Sequence, residues 1–128
     1  MKSLFSLFYL ILCCAVMLSC KKDKVQSISL EPSVWVESST RKDTITFNDG
    51  ILLLNRQREL RNGYMLPKYG AGPYSYNKLK DSIFGLQYSL SSAYNPKNYA
   101  IKVDGRNLYV EDFYDNKNGA MIKFDRLK

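Results

Sequence analysis

What most constrains the fold of this chain is the rhythm of its apolar residues beyond Val25. No window of about eleven residues repeats apolar side chains at helical spacing, whereas short alternating runs cut by turn residues recur to the end. Successive side chains of an extended chain point to opposite faces. A period-two run therefore has one apolar face to bury, and it buries it against other such runs. Residues 33–38, 43–47, 51–55, 73–79, 82–90, 99–103, 108–113 and 120–127 have this character. The expected fold class is all-β, an antiparallel up-and-down meander of about eight strands. Eight strands of about six residues with turns of about four need roughly 76 residues, which one domain of this length supplies.

The punctuation supports the strand order. Asp49-Gly50 separates two apolar runs, and this dipeptide suits a type I′ hairpin turn, which needs positive φ at both central residues. Asp104-Gly105 predicts a second hairpin, Lys80-Asp81 joins 73–79 to 82–90, and Asn95-Pro96 and residues 115–119 mark loops. Phe84, Leu86, Tyr88 and Leu90 share one face, which should be buried; Tyr99, Ile101 and Val103 share another, and Ile122 and Phe124 lie on the face of Arg126. The stretch 56–72, with Arg56, Arg58, Arg61, Asn62-Gly63, Pro67, Gly70 and Gly72, is too long for a tight turn. It either contains an extra extended piece or covers one end of the fold, with its arginines on a solvated surface.

The amino terminus has a different composition. Lys2 precedes an apolar run over 4–18, interrupted by Ser6, Cys13 and Cys14, then Ser19 and Cys20. This is the pattern of an export signal, and about 15 apolar residues fall short of the roughly 20 that span a bilayer. All three cysteines lie in this segment, so the remainder can form no internal disulfide. Met17-Leu18-Ser19-Cys20, followed by Lys21-Lys22-Asp23-Lys24, resembles the lipobox of bacterial lipoproteins, with Met17 where that family most often has Leu. The resemblance implies a diacylglycerol thioether and an acylated amine on Cys20, and hence a membrane-tethered protein. Lys21, where inner-membrane retention uses Asp, implies the outer membrane and leaves the leaflet open. The expected organisation is a leader over 1–19, a lipidated cysteine and tether over 20–32, and a β-barrel domain over 33–128.

An eight-stranded meander can close into a barrel, which removes exposed sheet edges. Trp35 in the first run, Asp43-Thr44-Ile45-Thr46-Phe47-Asn48-Asp49-Gly50 after it and the closing run Met121-Ile122-Lys123-Phe124-Asp125-Arg126-Leu127 resemble the small lipocalin-like domains of bacterial lipoproteins. In that family Gly-x-Trp opens the first strand and a basic residue of the last strand packs on the Trp. The resemblance implies that Trp35 and Arg126 play those structural parts, with Ser33 in place of the Gly.

Function is constrained mainly by exclusion. No His is present, so imidazole base catalysis and ligation are excluded. No activated nucleophile, paired carboxylates, metal cluster or calcium-type loop is legible, and the glycines of Tyr69-Gly70-Ala71-Gly72-Pro73-Tyr74 lack the helix and Gly-Lys-Ser/Thr of a phosphate loop. The expectation is no enzyme, no metal and no cofactor. The 19 Lys+Arg against 12 Asp+Glu are scattered rather than gathered on one surface, which excludes nucleic acid and points to acidic partners outside the cytoplasm.

Nine of ten Tyr follow Cys20, five of them (Tyr64, Tyr69, Tyr74, Tyr76, Tyr88) between Gly63 and Leu90. Tyr can line a site for an amphipathic molecule or simply pack across strands, and both readings stand. The expected function is that of an envelope lipoprotein binding a small apolar or amphipathic ligand in the barrel. Its candidate lining is Phe47, Leu53, Tyr74, Tyr76, Phe84, Leu86, Tyr88, Tyr99 and Ile101, some of which must fill the core. The alternative is a protein-interaction module, an inhibitor of a secreted hydrolase or an accessory subunit of an outer-membrane complex, acting through 56–76.

Overall fold

The computed structural model describes residues 29–115 and 119–127; Cys20, the leader and the tether up to residue 28 lie outside them. The described chain forms β1 (Ser33–Glu37), β2 (Thr44–Asn48), β3 (Ile51–Asn55), β4 (Arg58–Arg61), β5 (Tyr64–Pro67), β6 (Gly72–Lys80), β7 (Ile83–Tyr88), β8 (Lys97–Asp104), β9 (Asn107–Glu111) and β10 (Met121–Arg126). Eight of these close into an antiparallel barrel in the order β1-β10-β9-β8-β7-β6-β3-β2, and β4 and β5 form a separate two-stranded sheet. This is the closed up-and-down architecture expected from the meander, and it is consistent with a small lipocalin-like barrel. Among the described residues no helix is long and apolar enough to cross a membrane.

Closure depends on β1, which pairs with both β2 and β10. Trp35 stands opposite Arg126 in that last register, and the Arg126 guanidinium carbon lies 5.5 Å from the centroid of the Trp35 ring. The pairing implied by the lipocalin resemblance is thus present. Ser33 is buried and accepts a 2.7 Å hydrogen bond from Trp35 Nε1, while its own hydroxyl donates to the Leu30 carbonyl. A glycine could not satisfy the buried indole N–H in this way, which gives the serine a physical role.

The two ends of the barrel differ. At one end β2-β3, β6-β7 and β8-β9 are joined by two-residue turns. Asp49 and Gly50 take φ of 50° and 74°, the positive values that the type I′ turn requires. The chain enters at this end, where Glu31 Oε1 accepts from the Gly50 N–H at 2.7 Å and from the Tyr76 hydroxyl. The other end carries the longer connections: 38–43, 56–71, 89–96 and 112–120. Between the ends, an eight-stranded ring is just wide enough for side chains to fill. Trp35, Ile45, Phe47, Leu52, Leu54, Leu108, Val110 and Phe124 do so and are almost wholly buried.

Three local readings need correction. Leu53 lies on the outer face and is 37% exposed, because Leu52 and Leu54 occupy the inward positions of β3. Leu90 is 72% exposed, since β7 ends at Tyr88 and the alternation of Phe84, Leu86 and Tyr88 does not continue past it. The run 108–113 is a strand only to Glu111; the Asp112 N–H makes one further bond, to the Ala120 carbonyl at 2.8 Å, and its carboxylate accepts from the Tyr114 and Asp115 N–H groups at 3.1 and 2.7 Å. An Asp side chain that bonds its own downstream backbone turns the chain out of the strand. Residues 56–71 do contain an extra extended piece, the β4-β5 hairpin, whose Asn62 and Gly63 both have positive φ.

Candidate functional site

The turn at Asp112 delivers Phe113 and Tyr114 into the wide end of the barrel, where both are buried. Phe113 becomes the centre of an aromatic floor. The rings of Tyr74, Tyr99 and Tyr114 surround it at centroid distances of 5.0, 5.7 and 5.0 Å, and Tyr88 leans on Tyr74 at 5.3 Å. Tilted and edge-to-face packing of this kind lets each ring place its positive edge on a neighbour's face.

Above the floor lies a cavity of about 570 Å³, walled by Tyr74, Leu86, Tyr88, Tyr99 and Phe113, with Tyr69 and the 70–71 backbone across from them. Strand pairing explains why these side chains meet. Tyr74 stands opposite Tyr88, and Leu86 stands opposite Lys97, which is two positions along the inward face from Tyr99. The Tyr74 hydroxyl donates to the Gly70 carbonyl at 2.7 Å, and burial, aided by the neighbouring tyrosines, pushes its pKa up to about 12. Tyr99 is likewise raised by burial and by Glu111 and Asp112. These phenols are neutral hydrogen-bonding groups on an apolar wall.

Arg56 fastens the rim. Its Nε donates to Asp43 at 3.0 Å, its Nη1 to Asp115 at 2.8 Å and to the Tyr69 carbonyl at 2.7 Å, and its guanidinium carbon lies 4.5 Å from the centroid of the Tyr114 ring. One side chain thus connects the ends of four chain segments. Burial works against its charge, but Asp115 and Asp43 outweigh that and raise its pKa. The solvated position expected for Arg56 is therefore wrong: its side chain is 7% exposed, whereas Arg58 and Arg61 are open to solvent.

A second depression of about 770 Å³ lies on the far side of Arg56. Its acids already have partners: Asp43 and Asp115 bind Arg56, and Glu37 accepts from Ser39 and Thr40. Its charges are of both signs, and its acids are satisfied within the rim.

The expected lining residues thus separate into groups. Tyr74, Leu86, Tyr88 and Tyr99 meet around the mouth cavity. Phe47, Phe84 and Ile101 belong to the packed core. Tyr76 points inward near the narrow end, edge-on to Phe47 at 5.4 Å and bonded to Glu31, and Leu53 faces outward. Phe113, Tyr69, Lys68 and Lys97 are cavity residues that the alternation of strands did not single out. For Phe113 the available signal was Asp112, a residue that favours leaving a strand.

Projecting beside the mouth, the β4-β5 hairpin holds Leu60, Tyr64, Met65 and Leu66 largely in solvent. Leu60 and Met65 face each other across the strands, as do Arg61 and Tyr64. Among the described residues no cluster of acids and cysteines could hold a metal ion. Compared with family models, with curated proteins and with solved structures, the chain matches none.

Proposed function

We propose that this protein is a non-enzymatic, lipid-anchored envelope protein that binds a small amphipathic molecule at the mouth of its barrel. The observation that carries the reading is the aromatic-floored cavity at the wide end of an otherwise packed ring. Apolar walls with a few placed polar groups are what small-molecule sites share, and phenols on an apolar wall supply both. The anchor rests on the cysteine motif at 17–20. Attachment upstream of residue 29 is compatible with an open mouth, because the chain enters at the opposite end. Native mass spectrometry of the full chain carrying Cys20→Ser tests the ligand half: co-purifying small molecules lost in Phe113→Lys support it. Failure of wild type to incorporate labelled fatty acid more than the Cys20→Ser form would sink the anchor.

The alternative, a protein-docking role for 56–76, is favoured by one specific observation. Isolated two-stranded sheets are marginal in water, yet this one leaves Leu60 70% and Tyr64 71% exposed. Deleting residues 57–69 would also remove the Tyr69 carbonyl that holds Arg56, so point changes are the cleaner test. Loss of a captured envelope protein in Leu60→Lys with Met65→Lys, with probe binding at the mouth unchanged, would favour docking.

A further inference from the structure

The charges on the mouth cavity are of one sign. Arg61, Lys68 and Lys97 line it, and no carboxylate does. Arg61 is partly neutralised by Glu59 at 3.1 Å, but among the described residues neither Lys68 nor Lys97 has an acidic partner. Lys97 is placed deliberately: it continues the inward face of Tyr99, Ile101 and Val103 to the lip of the barrel. A lysine on the inward face of the strand, at the edge of an aromatic wall, gives an anion a cationic group to meet while its body covers the rings.

The depth of the site limits the shape of that body. Beneath the floor the ring is filled by Ile45, Leu54, Ile101, Val110 and Phe124, each at most 2% exposed. A long acyl chain would have no tunnel to follow, whereas a flat ring can lie on Phe113 between Tyr74 and Tyr99. We infer that the mouth selects compact, ring-bearing anions, a carboxylate or sulfonate held by Lys68 and Lys97 with its ring on the aromatic floor. The inference rests on the mouth being a ligand site at all, as proposed above.

Matched fluorescent probes separate the two claims. Anilinonaphthalene sulfonate and the neutral N-phenylnaphthylamine share a ring body and differ by the anionic group, and both brighten when they leave water. With the full chain carrying Cys20→Ser, the anion should bind about tenfold tighter at low salt, with the gap closing as salt rises. Lys68→Gln with Lys97→Gln should remove the preference and leave neutral-probe binding intact. Arg58→Gln, on the opposite face of the hairpin from Arg61, is the control and should change nothing. Naphthoate should displace the bound anion better than palmitate. Equal binding of the two probes, an unchanged preference in the double variant, an effect of Arg58→Gln as large as that of the double variant, or stronger displacement by palmitate would each overturn the inference while leaving the site standing. Binding of neither probe would overturn the site as well.

Discussion

Arg56 offers the sharpest test of how the wide end is held. In Arg56→Met the partly buried Asp43 keeps its charge and loses its partner. Both side chains of that pair are nearly inaccessible, at 7% and 13% exposure. Orphaning one member of a buried pair costs about 3–5 kcal/mol. The contact to Asp115, which is 43% exposed, adds only about 0–1 kcal/mol because solvent screens it. The stack on Tyr114 adds about 0.5–2 kcal/mol. Since such terms overlap, the expected loss is about 4 kcal/mol, a large part of the roughly 5–15 kcal/mol that stabilises a domain. Arg56→Lys retains the charge but not the fork that reaches Asp43, Asp115 and the Tyr69 carbonyl together, and should lose about 2 kcal/mol. Adding Asp43→Asn to Arg56→Met removes the orphan charge and should recover about 2 kcal/mol of the loss. Urea unfolding followed by the fluorescence of Trp35, the single tryptophan, measures all of these. A lysine variant within about 0.5 kcal/mol of the parent, a strictly additive double variant, or both, would refute the reasoning.

Ser33→Ala should destabilise by about 1–3 kcal/mol in the same assay, because the buried Trp35 N–H loses its acceptor. Gly70→Ala should weaken both folding and mouth-probe binding: φ at Gly70 is +77°, and an added Cβ would lie 2.5 Å from Tyr114 Cβ, a clash whose relief displaces the floor. Leu53→Lys should stay within about 0.5 kcal/mol of the parent whereas Leu52→Lys should prevent cooperative unfolding, a contrast that circular dichroism reads directly. Stability should fall at both extremes of pH. Glu31, through Tyr76 and Gly50, and Glu37, through Ser39 and Thr40 against the cost of burial, sit below their ordinary value of 4.5. Their contribution is complete above that value and is lost as pH drops through the folded pKa values. Tyr74 is raised from 10.0 to about 12, so its neutral form favours the fold below pH 10 and that contribution disappears as pH climbs toward 12. Tyrosinate absorbance recorded alongside unfolding should show buried phenols ionising only as the barrel opens.

The barrel was legible because its rule is local. Alternation assigns Ile45, Phe47, Leu86, Ile101 and Phe124 to one face without knowledge of their partners, and Asp49-Gly50 specifies its own turn. Leu53 shows where that rule runs out: in Ile51-Leu52-Leu53-Leu54 every residue is apolar, so period two has no phase and only pairing with Thr46 and Pro73 decides which Leu faces inward. The mouth was half legible for a related reason. Tyr74, Tyr88 and Tyr99 sit on regular strands, but Phe113 reaches the floor through an irregular turn, and Arg56 is buried by acids 13 and 59 positions away. Such contacts depend on closure of the ring, which no local pattern encodes. The hairpin at Asn62-Gly63 carried its own turn signal, yet its neighbouring arginines read as loop.

Because the described polypeptide begins beneath the tight turns, a bead or reporter domain attached directly at residue 29 meets the base of the cup and not its mouth. With Asp43, Arg56, Tyr69 and Asp115 kept, the rest of the rim can then be exchanged without touching either the point of attachment or the Trp35–Arg126 contact where the ring closes, so new specificities should be graftable onto an unchanged base.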